Sequence, residues 1–215
     1  MENDKSALDK LVVGLMIAIL FVNGFNIYQM QDMEHSAAAG QPSGMLEMSG
    51  MPANQIPETS SGIDVIPKGE PKIYGAELGV SYDDISASDQ QKADASINRL
   101  GILDQQITLS GKDKERYIEI AGQISCEYCC GVESIISKDG SSACSCAHSF
   151  AMRGLAKYLI KNHGSEFTDN EILEELGKWK TLFFPGEISK RALVLKEKGI
   201  ELNYINLASN KYRGV

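Results

Sequence analysis

The chain has 215 residues, of which 43% are hydrophobic, and a formal net charge of −8 at pH 7. Such a length and composition are typical of one folded domain with an appended segment. A nucleic-acid-binding domain normally presents a basic face, so the acidic balance argues against a nucleic-acid partner. We interpret the dispersed negative charge as a contribution to solubility.

Residues 11–28 (LVVGLMIAILFVNGFNIY) contain no charged side chain and are close to the length of a membrane-spanning helix. A cleaved signal peptide is the alternative, although the nearest run of small residues, Ser36–Ala39, lies well beyond the apolar segment. We expect an uncleaved anchor. Lys5 and Lys10 precede it and no Lys or Arg follows until Lys68, so the positive-inside rule places the N-terminus in the cytoplasm.

The sequence therefore predicts three parts. Residues 1–30 form a cytoplasmic N-terminus and a transmembrane anchor, residues 31–72 a flexible tether, and residues 73–215 an extracytoplasmic domain. The predicted localisation is the cell membrane, with a single pass through it.

The tether is rich in Gly, Ser, Ala, Pro and Met and has neither helical nor strand periodicity, which is typical of a disordered linker. Five of the eight methionines lie in it or at its start, close to His35: Met30, Met33, Met45, Met48 and Met51. Because thioethers are soft ligands that prefer monovalent copper, Met45, Met48 and Met51 are candidate auxiliary ligands. The alternative is that this segment docks on the folded domain or on a membrane surface.

Residues 73–215 carry the periodicity and capping signals of a small, mainly α-helical domain. An N-cap within Ser86–Asp89 predicts a helix that ends at Gly101. A second helix is expected to begin near Gly111 and to lead towards Ile124. Residues 132–140 resemble a short hairpin arm with a turn.

Three more helices are predicted after the cysteines. The first carries an apolar stripe from Ala151 to Leu159 and stops near Gly164, with His163 as a cation at its C-terminal end. The capping box Thr168–Glu171 opens the second, which carries Trp179 and Phe183 on its apolar face. The third spans residues 187–198, and the remaining residues are expected to be extended or frayed.

All five cysteines lie between positions 126 and 146, and a histidine closes the cluster at position 148. The run CEYCC places two thiols on one turn, and CSCAH places two thiols and an imidazole at the start of a helix. Together the two motifs supply soft or borderline ligands for a metal ion. The predicted ligands are Cys126, Cys129, Cys144 and Cys146, followed by His148 and Cys130.

This ligand set suits monovalent copper, zinc or an iron–sulfur cluster. Six candidate ligands exceed what one zinc ion needs, which favours a binuclear or exchanging copper site. Met152 follows His148 by four residues on the same helical face and is a candidate weak axial ligand. We expect a copper ion, with zinc as the main alternative and an iron–sulfur cluster as a further one.

Two interpretations without metal stay open. Cys126 and Cys129 could form an exchange-active dithiol, but such a pair needs its first cysteine at a helix N-terminus, and Cys126 follows a helix instead. One or two disulfides could also clamp the cysteine segment in an oxidising compartment. The sequence contains no arrangement of residues that requires an enzyme.

At these motifs the chain resembles the membrane-tethered, cysteine-rich proteins of prokaryotes that are named for a PCYCGC motif. The similarity covers residues 126–179: a compact cysteine run, cysteines that lead into a helix, and a second, capped helix. CEYCCG stands here where the family has its namesake run, and CSCAH is particular to this chain. The resemblance implies an exported, anchored, metal-binding protein and implies no activity.

The sequence as a whole predicts an anchored, extracytoplasmic protein that handles or delivers copper, or transfers electrons, together with a protein partner. The first alternative is a zinc-stabilised interaction domain whose docking surface surrounds Trp179 and Phe184. The second is a thiol–disulfide oxidoreductase.

Overall fold

The structure, a computed structural model, describes residues 64–129 and 131–215. Within these residues the regular structure is helical. No strand forms there, and extended segments meet only at two isolated antiparallel bridges, Ile124–Ser209 and Ile136–Ser142. The prediction of a mainly α-helical domain is confirmed.

The helices in chain order are α1 (Gly75–Leu78), α2 (Gln90–Gln106), α3 (Gly111–Ala121), α4 (Ala147–His163), α5 (Asp169–Phe183), α6 (Pro185–Glu197) and α7 (Tyr204–Ala208). Two short 3-10 helices occupy Tyr82–Asp84 and Asn210–Tyr212. The central element is α4, which packs against α2, α3 and α5. The long connection from α3 to α4 carries the cysteines, so the candidate site lies at the N-terminal end of the central helix.

Two glycines allow α2 and α4 to approach closely. A Cβ atom at Gly154 would lie 1.9 Å from the carbonyl oxygen of Leu100, and one at Gly101 would lie 3.5 Å from Cβ of Phe150. The prediction that α2 ends at Gly101 is therefore wrong, since the helix continues to Gln106. Packing against α4 overrides the low helix propensity of glycine at this position.

The predicted helix starts are confirmed by capping contacts. Asp89 accepts a hydrogen bond from the backbone N–H of Lys92 (3.0 Å) and opens α2. Thr168 and Glu171 form a reciprocal capping box at α5, in which the Glu171 carboxylate accepts from the Thr168 N–H (2.7 Å). These contacts satisfy N–H groups that have no partner within their own helix.

The C-terminal segment is not extended, contrary to the prediction. Asn203 caps α7 by accepting from the N–H of Asn206 (2.9 Å). A Cβ atom at Gly177 of α5 would lie only 2.6 Å from the carbonyl oxygen of Tyr204, so α7 packs directly on α5. The tertiary contact with α5 stabilises a helix too short to form alone.

The core beneath α5 contains a buried polar chain. Trp179 has no exposed surface, and its indole N–H donates to the Tyr74 hydroxyl (2.8 Å). That hydroxyl donates to the Glu175 carboxylate (2.6 Å), as does the hydroxyl of Tyr82. Because Trp179 is wholly buried, it is a core residue, and the docking surface predicted around it does not include its side chain.

The prediction of a single-pass membrane protein, with a cytoplasmic N-terminus and an extracytoplasmic domain, is corrected by the structure. The longest helices among residues 64–215, α2 and α4, have 17 residues each. None of the helices described there is long and apolar enough to cross a bilayer, which takes about 20 apolar residues. The predicted span, residues 11–28, and the methionine-containing segment lie outside the described residues.

Candidate metal centre

Three cysteines from the two predicted motifs come together. The sulfur atoms of Cys126, Cys129 and Cys146 all lie within 4.8 Å of one another, and the Cys126–Cys146 distance is 3.4 Å. An ion with tetrahedral thiolate ligands at about 2.3 Å holds its sulfur atoms about 3.8 Å apart. These three residues, called the thiol cluster below, therefore fit the donor set of one soft metal ion.

The three cysteines of the thiol cluster differ in their exposure to solvent. Cys126 is buried, Cys146 is half-buried and Cys129 is exposed. All three are free thiols. An ion held by them would be anchored from the protein interior and reachable from solvent on the side of Cys129.

Cys146 occupies the N-cap position of α4. Its sulfur accepts a hydrogen bond from the backbone N–H of Ser149 (3.4 Å) and contacts the Ser149 hydroxyl (3.3 Å). The hydrogen bond from the Cys126 thiol lowers the pKa of Cys146 well below its ordinary value, with smaller contributions from His148 and Ser149, and burial opposes the shift. The same contact, together with burial, raises the pKa of Cys126. The N-cap position and the hydrogen bond from Ser149 therefore favour the thiolate form of Cys146.

Cys144 is not part of the thiol cluster, although the sequence places it among the first four ligands. Its side chain is buried, and its sulfur lies outside the group of three. Its backbone carbonyl accepts a hydrogen bond from Nη1 of Arg153 (2.8 Å). Cys130, the remaining cysteine, lies outside the described residues.

His148 and Met152 extend along α4 from the cluster. The His148 ring packs against the rings of Phe183 (4.7 Å between centroids) and Phe184 (5.0 Å). Its Nδ1 is buried without a hydrogen-bond partner. Like Cys144, His148 lies outside the group of three, but a hydrogen bond from its imidazole contributes to the low pKa of Cys146. Its role as a fourth ligand stays a prediction. Met152 is fully buried among core side chains, and its role as an axial ligand stays a prediction.

A buried ionic contact holds the loop between Cys126 and Cys129. Glu127 adopts a positive φ of 34°, a left-handed conformation that is strained for a residue with a side chain. Its carboxylate accepts from Nζ of Lys180 (2.8 Å) and pairs with Arg191. Lys180 also donates to the carbonyl oxygen of Ala208 (2.8 Å). Burial lowers the pKa of Lys180 to about 8, although Glu127 acts in the opposite direction.

Sequence reasoning did not identify Glu127, Lys180 or Arg191 as parts of the site. The positions of Lys180 and Arg191 on their helices could have indicated a buried ion pair. Lys180 follows the core residue Leu176 by four positions, and Arg191 precedes the core residue Leu195 by four. A cation on the apolar face of a helix requires a buried counter-ion, and Glu127 provides it.

A second ionic contact holds the chain just before Cys146. Arg153 of α4 is fully buried and pairs with Asp104 of α2 (2.8 Å). Its Nη1 donates to the carbonyl oxygens of Ile135 (3.2 Å) and Cys144 (2.8 Å). Lys157 pairs with the same aspartate (2.7 Å). Arg153 therefore holds the backbone just before Cys146 in place, and Asp104 of α2 holds Arg153.

Comparison with known proteins identifies no relative. No family model, no curated protein and no solved structure matches the chain. The resemblance to the PCYCGC-motif proteins therefore stays a prediction, and the interpretation of the site depends on its own geometry.

Proposed function

We propose that this protein binds a single soft metal ion through Cys126, Cys129 and Cys146, and that it carries monovalent copper for transfer to a partner. The observation that supports this proposal is the approach of three thiol sulfurs to within 4.8 Å of one another. Thiolates are the ligands that soft ions prefer.

The number of sulfur atoms that come together among the described residues, which do not include Cys130, favours copper over zinc. A structural zinc site is closed by four ligands, usually cysteine or histidine. The fourth cysteine expected for such a site, Cys144, lies outside the thiol cluster. Monovalent copper is satisfied by three thiolates, whereas zinc would need His148 or a solvent molecule to complete its coordination.

The graded exposure of the cluster supports transfer rather than permanent retention. Cys126 and Cys146 hold the ion from the interior, while the exposed Cys129 can be replaced by a ligand from outside. A partner that presents its own soft ligands, thiolates or thioethers, could therefore take the ion by stepwise ligand exchange. A closed structural site would not offer such a position.

An anaerobic titration of the reduced full-length chain with monovalent copper, in competition with a chromophoric chelator, tests this proposal. We expect one equivalent to bind tightly, and we expect Cys126→Ser, Cys129→Ser and Cys146→Ser each to weaken binding by at least about tenfold. Cys144→Ser is the matched control and should bind as the wild type does. An equal loss of copper affinity in all four folded variants would contradict a three-thiolate site.

Thiol–disulfide exchange is a second candidate function, and the position of Cys146 favours it. A thiolate at a helix N-terminus is the nucleophile in this chemistry, and Cys126 lies 3.4 Å from it. The two thiols would form a disulfide and give two electrons and two protons to an external disulfide, which would become two thiols. Incubation with oxidised glutathione distinguishes the two functions: rapid, stoichiometric formation of a Cys126–Cys146 disulfide would favour exchange, and its absence would favour metal binding.

A further inference from the structure

We infer that two buried cations beside the thiol cluster, Lys180 and Arg191, make the site selective for ions of low charge, so that monovalent copper is preferred over zinc. These two residues are called the cationic pair. This inference rests on the proposed function, since it concerns which ion the three thiolates retain.

The cationic pair has one positive charge in excess. Lys180 and Arg191 share a single carboxylate, that of Glu127, which directly follows Cys126 in the sequence. The side chains of Lys180, Arg191 and Glu127 are 0%, 3% and 10% exposed. Two buried cations and one anion leave a net charge of plus one next to the cluster, where water screens it weakly.

Both cations also lie over the ring of Tyr128, the residue before Cys129. Nζ of Lys180 is 5.5 Å and the guanidinium carbon of Arg191 is 5.8 Å from the ring centroid. Nε of Arg191 is buried without a hydrogen-bond partner. The cationic pair therefore lacks part of the negative charge that would balance it.

The thiol cluster can supply that negative charge. Three thiolates with a monovalent ion sum to two negative charges, whereas three thiolates with a divalent ion sum to one. A cationic pair with one excess positive charge stabilises the first complex more than the second. The protein as a whole has a net charge of −8, so this concentration of buried cations at the cysteines is a local feature that the overall composition does not predict.

The test is the ratio of affinities for monovalent copper and for zinc, each measured by competition with a chelator on the reduced full-length chain. Lys180→Met leaves Arg191 and Glu127 as a balanced pair and removes the excess positive charge. We expect this variant to lower the ratio by on the order of tenfold or more, which is the size of effect that one weakly screened charge produces at short range. Lys190→Met is the matched control, because Lys190 is exposed, lies on α6 and pairs only with Glu187 (2.8 Å).

A second variant keeps the inference testable if Lys180→Met does not fold. Arg191→Met leaves Lys180 and Glu127 as a balanced pair and should lower the same ratio. An unchanged ratio in the folded variants, with both metals still bound through the cysteines, would overturn the inference alone. A wild-type chain that binds neither metal through its cysteines would overturn the proposed function as well.

Discussion

Glu127 and Lys180 form an ion pair of 2.8 Å in which the lysine side chain has no exposed surface and the glutamate is the residue after Cys126. The pair joins the cysteine loop to α5 and holds Glu127 in a left-handed conformation. The positions of Cys126 and Cys129 therefore depend on a charged contact with a helix more than fifty residues further along the chain.

Removal of the Glu127 charge should destabilise the protein. Glu127→Gln leaves Lys180 and Arg191 buried without a counter-ion, and we expect the free energy of unfolding to fall by about 3 kcal/mol. Urea denaturation followed by circular dichroism measures this change. Glu133→Gln is the control, since Glu133 is exposed on the same segment. A Glu127→Gln, Lys180→Met double variant should recover part of the lost stability. If Glu127→Gln alone loses no more stability than the control, the ion pair contributes little.

The close contact of α2 with α4 should not tolerate a methyl group at Gly154. A Cβ atom there would lie 1.9 Å from the carbonyl oxygen of Leu100, so the helices must separate, and we expect Gly154→Ala to cost roughly 3 kcal/mol. Gly186, on α6, has no atom within 4 Å of its Cβ position. Gly186→Ala should therefore change the stability by less than about 0.5 kcal/mol. Similar melting temperatures for the two variants would argue against the close approach.

His163 should make stability depend on pH. Burial of the ring disfavours its charged form, but hydrogen bonds with Glu166 (2.8 Å) and Glu77 (3.1 Å) outweigh burial and raise the pKa of His163 above its ordinary value of 6.5. A raised pKa in the folded state means that this contribution is fully present below pH 6.5 and is lost as the pH rises through the folded-state pKa.

Burial lowers the pKa of Lys180 to about 8, so Lys180 contributes with the opposite sign as the pH rises above 8. The contribution of His163 is therefore the difference between the wild type and His163→Gln. Between pH 6 and pH 8 we expect the wild type to lose up to about 1 kcal/mol of unfolding free energy relative to this variant, a modest amount because both glutamates are half-exposed. Denaturant titrations of both proteins at several pH values measure this difference. A difference that does not change with pH, or that changes in favour of the wild type, would contradict the assignment.

The sequence was sufficient to predict the helical class, most helix starts and the cysteine segment. Those features depend on local signals, such as the Thr168–Glu171 capping box and the clustering of all cysteines, that the fold does not override. The end of α2 could not be predicted, because Gly101 serves a contact with α4 that is invisible without the partner helix. The same holds for α7, which forms against Gly177 of α5.

The candidate site was predicted in part. Spacing alone treats Cys144 and Cys146 as equivalent, but only Cys146 occupies the N-cap of α4, where its sulfur meets that of Cys126. Arg153 fixes the carbonyl of Cys144 instead, and that contact depends on the packing of two helices. Glu127 carries no local signal, since its role depends on cations on α5 and α6.

X-ray absorption spectroscopy of the reduced full-length chain, loaded with one equivalent of monovalent copper, tests the central claim most directly. A site formed by Cys126, Cys129 and Cys146 predicts a first coordination shell of three sulfur atoms. The shell should contain two sulfur atoms in Cys129→Ser and should be unchanged in Cys144→Ser. A wild-type shell composed mainly of nitrogen or oxygen, or the loss of a sulfur atom in Cys144→Ser, would contradict the three-thiolate site.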